Sequence, residues 1–160
     1  MKLYSNNELL SLFERHIAQM PTPEEPQRLY APIKYGLEEG GKRIRPTLLM
    51  LSYNLYAEDV ERALMPAMAV EIFHNFTLLH DDIMDNASMR RGRPSVPAKW
   101  GDNVAILSGD AMLILAYNHL QRTNSERLSQ IFERFNKMAA EVCEGQQFDM
   151  DFETQQKVSV

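Results

Sequence analysis

Apolar residues recur at intervals of three and four along almost the whole chain, the spacing of a helix face and not of a strand. Leu9, Leu10, Phe13 and Ile17 mark such a face near the start. Pro21, Pro23 and Pro26 follow, so the pattern predicts a first helix that stops near Met20. A second helical segment runs from about Gln27 to Glu39 and ends at Gly40-Gly41, residues suited to the left-handed conformation beyond a helix end. Pro46 suits the first turn of a third helix, through Leu48, Leu49, Leu51 and Leu55. A long stretch from about Asp59 to Asp85 also reads as helix, with a break or kink at Pro66. Gly92-Arg93-Pro94 and Val96-Pro97 read as a loop in which Trp100 is an anchor. Asp102-Asn103 is a candidate cap for a helix from Val104 to Leu120, apolar on nearly every side and therefore expected to be central and buried. Gly109 on that helix permits a close approach. Asn124-Ser125 marks the start of a last helix, with Ile131, Phe135, Met138 and Val142 on one face and Cys143, Met138 and Met150 expected in packing. The fold class is all-α.

Composition narrows the function. With 160 residues and 44% hydrophobic content, the chain has the size of one domain and enough apolar material for a core. A net charge of −5 argues against general nucleic-acid binding, which needs a basic face against phosphate. The single cysteine cannot form an intramolecular disulfide, so a reducing, cytoplasmic setting is expected. No run of apolar residues has the length of a membrane span.

The chemistry concentrates in two kinds of cluster. In Leu78-Leu79-His80-Asp81-Asp82-Ile83-Met84-Asp85, three carboxylates crowd the end of an otherwise apolar helix. At about 100° per residue, Asp81 and Asp85 lie roughly 40° apart, with His74 between them in projection two turns earlier. Like charges on one face repel, and the negative end of the helix dipole adds to the cost, so a positive partner is required. Hard oxygen donors without cysteine favour Mg²⁺, held by one or two carboxylates and completed by water and phosphate oxygens. The His80-Asp81 dipeptide also fits a metal phosphohydrolase, but that chemistry needs more histidines than the remaining His16, His74 and His119.

Two basic segments complement the acidic one. Gly40-Gly41-Lys42-Arg43-Ile44-Arg45-Pro46 puts three cations in a glycine-led loop at a helix start, where free N–H groups also favour an anion. Met89-Arg90-Arg91-Gly92-Arg93-Pro94 follows the carboxylates closely, and arginine offers a planar donor fork for phosphate oxygens. Together the clusters describe a site for a diphosphate bridged to protein through Mg²⁺ and directly.

These segments, with Glu71, His74, His80-Asp81-Asp82 and Asp85, then Leu107-Ser108-Gly109-Asp110-Ala111 and Gly145-Gln146-Gln147-Phe148-Asp149, closely resemble the trans-prenyltransferase family, the head-to-tail isoprenyl diphosphate synthases. The resemblance runs from about residue 28 to residue 152. It implies an isoprenoid-synthase helical bundle, here its N-terminal portion, as a single partial domain over 1–160. The implied substrates are isopentenyl diphosphate and an allylic diphosphate, the implied cofactor is Mg²⁺, and the implied assembly is a homodimer. By motif, Asp81 and Asp85 would ligate Mg²⁺ on the allylic diphosphate, with Asp82 in support and Arg90 contacting the same group. Lys42, Arg45, His74 and Arg91 would hold the diphosphate of isopentenyl diphosphate. Gln146 and Asp149 would face the reacting centre. Phe76 and Thr77, five and four positions before the first aspartate, would set product length, Phe76 favouring farnesyl or geranylgeranyl products.

Members of this family run to roughly twice this length, and their second aspartate-rich motif has no counterpart in this sequence. The reading is therefore of a prenyltransferase with no activity expected from this chain alone. The alternative is a non-catalytic partner subunit of a heteromeric prenyl synthase. Exposed apolar surface on a half-fold would drive self-association.

Overall fold

The computed structural model describes residues 2–38 and 40–154. Glu39, at the expected end of the second helix, lies outside the described residues, as does the terminal run from Lys157 to Val160. Among the described residues there are seven α-helices: α1 (Asn6–Ala18), α2 (Gln27–Glu38), α3 (Ile44–Asn54), α4 (Leu64–Met84), α5 (Val96–Trp100), α6 (Asp102–Gln121) and α7 (Leu128–Phe152). The all-α expectation holds, with one addition. A two-stranded ribbon, β1 (Met89–Arg90) and β2 (Arg93–Pro94), stands where a plain loop was expected. Two-residue strands are too short to leave an alternating pattern in a sequence.

The chain divides into two compact units, Met1–Thr123 and Asn124–Val160. In the first, α4 is the hub. It packs most extensively on α6 and also meets α1, α2, α3 and α5. Its buried residues, among them Ala67, Met68, Ile72, Phe73 and Leu79, wrap much of its circumference. Leu9 and Phe13 of α1 are fully buried, as are Met50 of α3 and Met112 and Ala116 of α6.

Local chemistry sets several boundaries. The Ser5 hydroxyl accepts from Glu8 N at 3.3 Å and the Glu8 carboxylate accepts from Ser5 N at 2.8 Å, a capping box that starts α1. Pro46 falls in the first turn of α3, as expected. The break in the long helical stretch comes before Pro66: a 3-10 turn, Val60–Ala63, precedes α4, and Pro66 sits in the first turn of α4, where its missing N–H costs nothing. Gly101, not Asp102 or Asn103, occupies the position before α6, and Asp102 lies in the first turn, where the helix dipole favours its charge. Ser125 does not start α7; its hydroxyl accepts from Arg127 N at 3.1 Å in a turn, and the helix begins at Leu128.

Burial departs from the sequence pattern in two places. On α3 the buried stripe is Pro46, Thr47, Met50 and Asn54, while Leu48 and Leu55 are more than half exposed. On α6, Ala105, Ser108, Gly109, Met112 and Ala116 face inward, whereas Ile106, Leu107 and Ile114 are exposed. An apolar residue is buried only where another element lies over it, and a composition cannot state where that element lies. In the second unit, Phe135 is buried, but Cys143 and Met150 are exposed and are not packing residues.

Gly109 does allow a close approach. A Cβ there would overlap the His80 imidazole, which reaches across from α4 with Nε2 3.3 Å from Ile106 O. Gly109→Ala is expected to lower stability by about 1–3 kcal/mol through overpacking, although alanine is the better helix former by about 1 kcal/mol. Urea denaturation checks this, and an unchanged or raised midpoint would contradict it.

Candidate diphosphate and metal site

The acidic end of α4 has the positive partner its charge demands. Arg90 of β1 donates from Nε to Asp82 Oδ1 at 2.8 Å and from Nη2 to Asp81 Oδ2 at 3.0 Å. Asp82 is 3% exposed and points inward, so it positions Arg90 rather than facing solvent. Hydrogen bonding and charge from Asp82, then from Asp81, outweigh partial burial and hold the Arg90 pKa above its ordinary value. Asp81 is partly exposed and Asp85 exposed.

A tight turn presents the arginines. Arg90 and Arg93 pair across the ribbon, leaving Arg91-Gly92 as a two-residue loop with φ of 51° and 79°. Positive φ at both central residues is what a type I′ hairpin requires, and it is unfavourable for arginine. From this tip the Arg91 guanidinium donates to Gly40 O. It lies so close to Gly41 that a Cβ there would stand 3.2 Å from the guanidinium carbon, and Gly41 itself has φ of 154°. The two basic loops therefore meet, and glycine at 41 is what lets them.

Each basic segment gives up one arginine to hold its loop in place. Arg93 stacks over the Tyr35 ring at 4.0 Å, with Lys99 at 4.1 Å to the same ring and Trp100 edge-on at 5.0 Å. The Tyr35 hydroxyl donates to Pro94 O at 2.8 Å, and Trp100, edge-on to that ring, helps to anchor this region from the end of α5 rather than from a loop. In the first segment it is Arg43 that turns inward; it is 5% exposed and bonded to Glu71 and Glu14. Of the three cations in this segment, Lys42 and Arg45 are exposed and Arg43 is not. A sequence could have flagged Arg43 only through the lone glutamate, Glu71, in an apolar helix that needed a cation.

Arg45 Nη1 lies 3.2 Å from His74 Nε2. A guanidinium only donates, so His74 accepts and is neutral with its proton on Nδ1. Burial first, then the Arg45 charge, push the His74 pKa below its ordinary value, with Arg91 and Arg90 adding and Glu71 opposing. His74 and Asp81 are seven residues apart on α4, about 10 Å along the axis and on one strip. Phe76 packs edge-on against His80 at 4.7 Å and beside Phe73 at 5.5 Å, while the Thr77 hydroxyl donates to His74 O at 2.7 Å. Gln146, half-buried, and Asp149, exposed, lie on α7 in the second unit.

Asp81 and Asp85 fit a hard divalent cation in donor type and in sharing one accessible strip. Among the described residues no group of three or more His, Cys, Asp or Glu side chains could hold a metal, and Asp81 and Asp85 are the two carboxylates this chain would offer one. Also among the described residues, no helix is long and apolar enough to cross a membrane.

Comparison with known proteins matches residues 26–160 to the polyprenyl synthetase family model. The chain is 43% identical over 136 residues to a geranylgeranyl diphosphate synthase of Methanosarcina mazei, covering 84% of this chain and 42% of that one. It is 40% identical over 151 residues to a short chain isoprenyl diphosphate synthase of Methanocaldococcus jannaschii, covering 90% and 46%. A solved geranylgeranyl pyrophosphate synthase superposes with a TM-score of 0.94 at 46% identity, over 98% of this chain and 48% of that one. The chain spans about half the length of the curated relatives it matches.

The neutral state of His74 yields a pH dependence. With the folded pKa below the unfolded value, its contribution to stability is complete above about pH 6.5 and is lost as pH falls through the folded value. NMR titration of the imidazole is expected to show an apparent pKa below that of a free histidine, and His74→Gln is expected to flatten the loss of melting temperature on acidification. An imidazole that titrates at or above the ordinary value would contradict the geometry.

Proposed function

We propose that this chain, which belongs to the polyprenyl synthetase family, carries the diphosphate-binding machinery of a trans-prenyltransferase that joins an allylic diphosphate to isopentenyl diphosphate. The observation that carries this reading is the single strip of α4 on which His74, Asp81 and Asp85 lie, flanked by two arginine loops joined through Arg91 and Gly40. A diphosphate is the ligand whose charge and oxygen-rich surface match that arrangement.

Lys42, Arg45, His74 and Arg91 take the diphosphate of isopentenyl diphosphate. Lys42 and Arg45 offer exposed cations, Arg91 a planar fork, and His74 gains a proton-donating form as an anion offsets the arginines around it. Asp81 and Asp85 take Mg²⁺, which when bound supplies neutralising charge to an allylic diphosphate. Arg90, oriented by buried Asp82, adds a fixed positive charge beside the same leaving group. In the condensation the allylic C–O bond breaks with its electron pair leaving on the diphosphate oxygen. The isopentenyl double bond forms the new C–C bond, and the proton lost from isopentenyl carbon goes to the departing diphosphate. Fixed positive charge lowers the cost of the first step because it needs no reorganisation when the bond breaks.

Gln146 and Asp149 are assigned to the reacting centre, and Phe76 and Thr77 to the limit on product length, giving a short-chain product of the farnesyl or geranylgeranyl type. The names of the relatives, geranylgeranyl and short chain isoprenyl diphosphate synthase, support that length class. A homodimer belongs to the same proposal, supported by the exposed Leu107 and Ile114 on α6, as does a cytoplasmic location. No observation favours a non-catalytic partner subunit, which would have no use for Asp81, Asp85 and the arginine loops.

The test is Asp81→Ala in calorimetric titration with an allylic diphosphate, with and without Mg²⁺. The unaltered chain is expected to bind more tightly with the metal, and the variant to lose that increment. An equal Mg²⁺ increment in both would contradict the assignment of Asp81.

A further inference from the structure

Arg43 is the one cation of the Gly40–Pro46 segment that no anion from solvent can reach. All three guanidinium nitrogens are already committed, and to three different helices. Nε donates to Glu14 Oε1 of α1 at 3.0 Å, Nη1 to Glu71 Oε1 of α4 at 2.6 Å and Nη2 to Leu37 O of α2 at 2.6 Å. Glu71 is itself 3% exposed, and Oε1 also accepts from Asn75 Nδ2 at 3.1 Å. The Arg43 backbone is left-handed, with φ of 43° and ψ of 37°, at the N-cap of α3, and its side chain makes no cap bond there. A residue held in that conformation with all three guanidinium nitrogens bonded is fixed in place by its partners.

Position turns this network from a fold feature into a site feature. Lys42 precedes Arg43, and Arg45 follows it by two residues; His74 follows Glu71 by three, almost one helical turn. The segment before α3 and the second and third turns of α4 are thus joined twice. On the inner side they are joined by the Arg43–Glu71 ion pair, on the outer side by the 3.2 Å contact of Arg45 with His74. The inner pair sets the separation at which the outer groups stand. It also places two carboxylates behind a surface where Lys42, Arg45 and Arg91 crowd like charges together, which offsets their repulsion before any anion arrives.

We infer that Arg43 and Glu71, with Glu14 as a weaker third member, are positioning residues for the diphosphate cradle: they never touch the anion but set the spacing of Lys42, Arg45 and His74 that binds it. This rests on the proposed function, which makes that surface a diphosphate site. It differs from a role in stability alone, because a stabilising pair can be weakened without changing how the folded molecule binds.

The experiment is calorimetric titration of the full chain with inorganic pyrophosphate, without added metal and well below each variant's melting temperature by circular dichroism. Glu71→Gln keeps an acceptor for Arg43 but removes the charge, and is expected to weaken pyrophosphate binding about tenfold, the lower end for loss of a supporting partner. Glu14→Gln, at a half-exposed residue that leaves the buried pair intact, is expected to weaken it measurably but less than Glu71→Gln does, and decides the matter if Glu71→Gln does not fold. Lys42→Met, a direct contact, is expected to lose affinity with the melting temperature unchanged. If the glutamine variants melt earlier yet bind pyrophosphate as the unaltered chain does, the inference is overturned and the proposed function stands. If the unaltered chain does not bind pyrophosphate, both fall.

Discussion

The apolar hub helix α4 carries a buried glutamate, two histidines and, counting its C-cap, three aspartates, and arginine makes its buried carboxylates tolerable. Arg43 reaches Glu71, and Arg90 reaches Asp81 and Asp82. Burying a charge is costly unless it is paired and hydrogen-bonded, so α4 packs as the hub only if the loops on either side deliver those cations. The same requirement fixes where the loops stand. An electrostatic need of the core and the geometry of the site are therefore one constraint.

Charge left over after that pairing is what gives the surface its chemistry. Arg43 and Arg93 are spent on holding, one in an ion pair and one on the Tyr35 ring. Lys42, Arg45 and Arg91 remain at the surface, as does Asp85, and Asp81 is only partly engaged. His74, beside the loop cations, and Asp81, about 10 Å further along the same strip of α4, fit the two diphosphates of the proposed reaction, one held directly and one through a metal. Backbone strain falls in the same places: Arg43 and Arg91 both have positive φ, a cost that functional loops bear when surrounding contacts enforce it.

Much of this was legible in the sequence because helical periodicity and ordered motifs are local signals. The extents of α1 and α2, the role of Gly109 and the clustering of acid and base follow from the sequence, whereas the long stretch from Asp59 breaks at Val60–Ala63 and not at Pro66. What was not legible depends on partners distant in sequence. Arg43 looks like its neighbours Lys42 and Arg45 until Glu14 and Glu71 fold around it. The α6 helix reads as buried on every side, yet Ile106, Leu107 and Ile114 are exposed, since apolarity shows a capacity for burial and not the presence of a cover. The ribbon bearing Arg90 and Arg91 escaped because two residues per strand carry no period, and arginine is an unusual occupant of a type I′ position.

Two basic loops and one strip of α4 form the proposed diphosphate site. Backbone amide NMR during titration with isopentenyl diphosphate tests it residue by residue. Shifts concentrated at Gly40–Arg45, around His74 and at Arg91-Gly92 are the expected result. Shifts confined to other surfaces, or none at concentrations that saturate a diphosphate site, would contradict it.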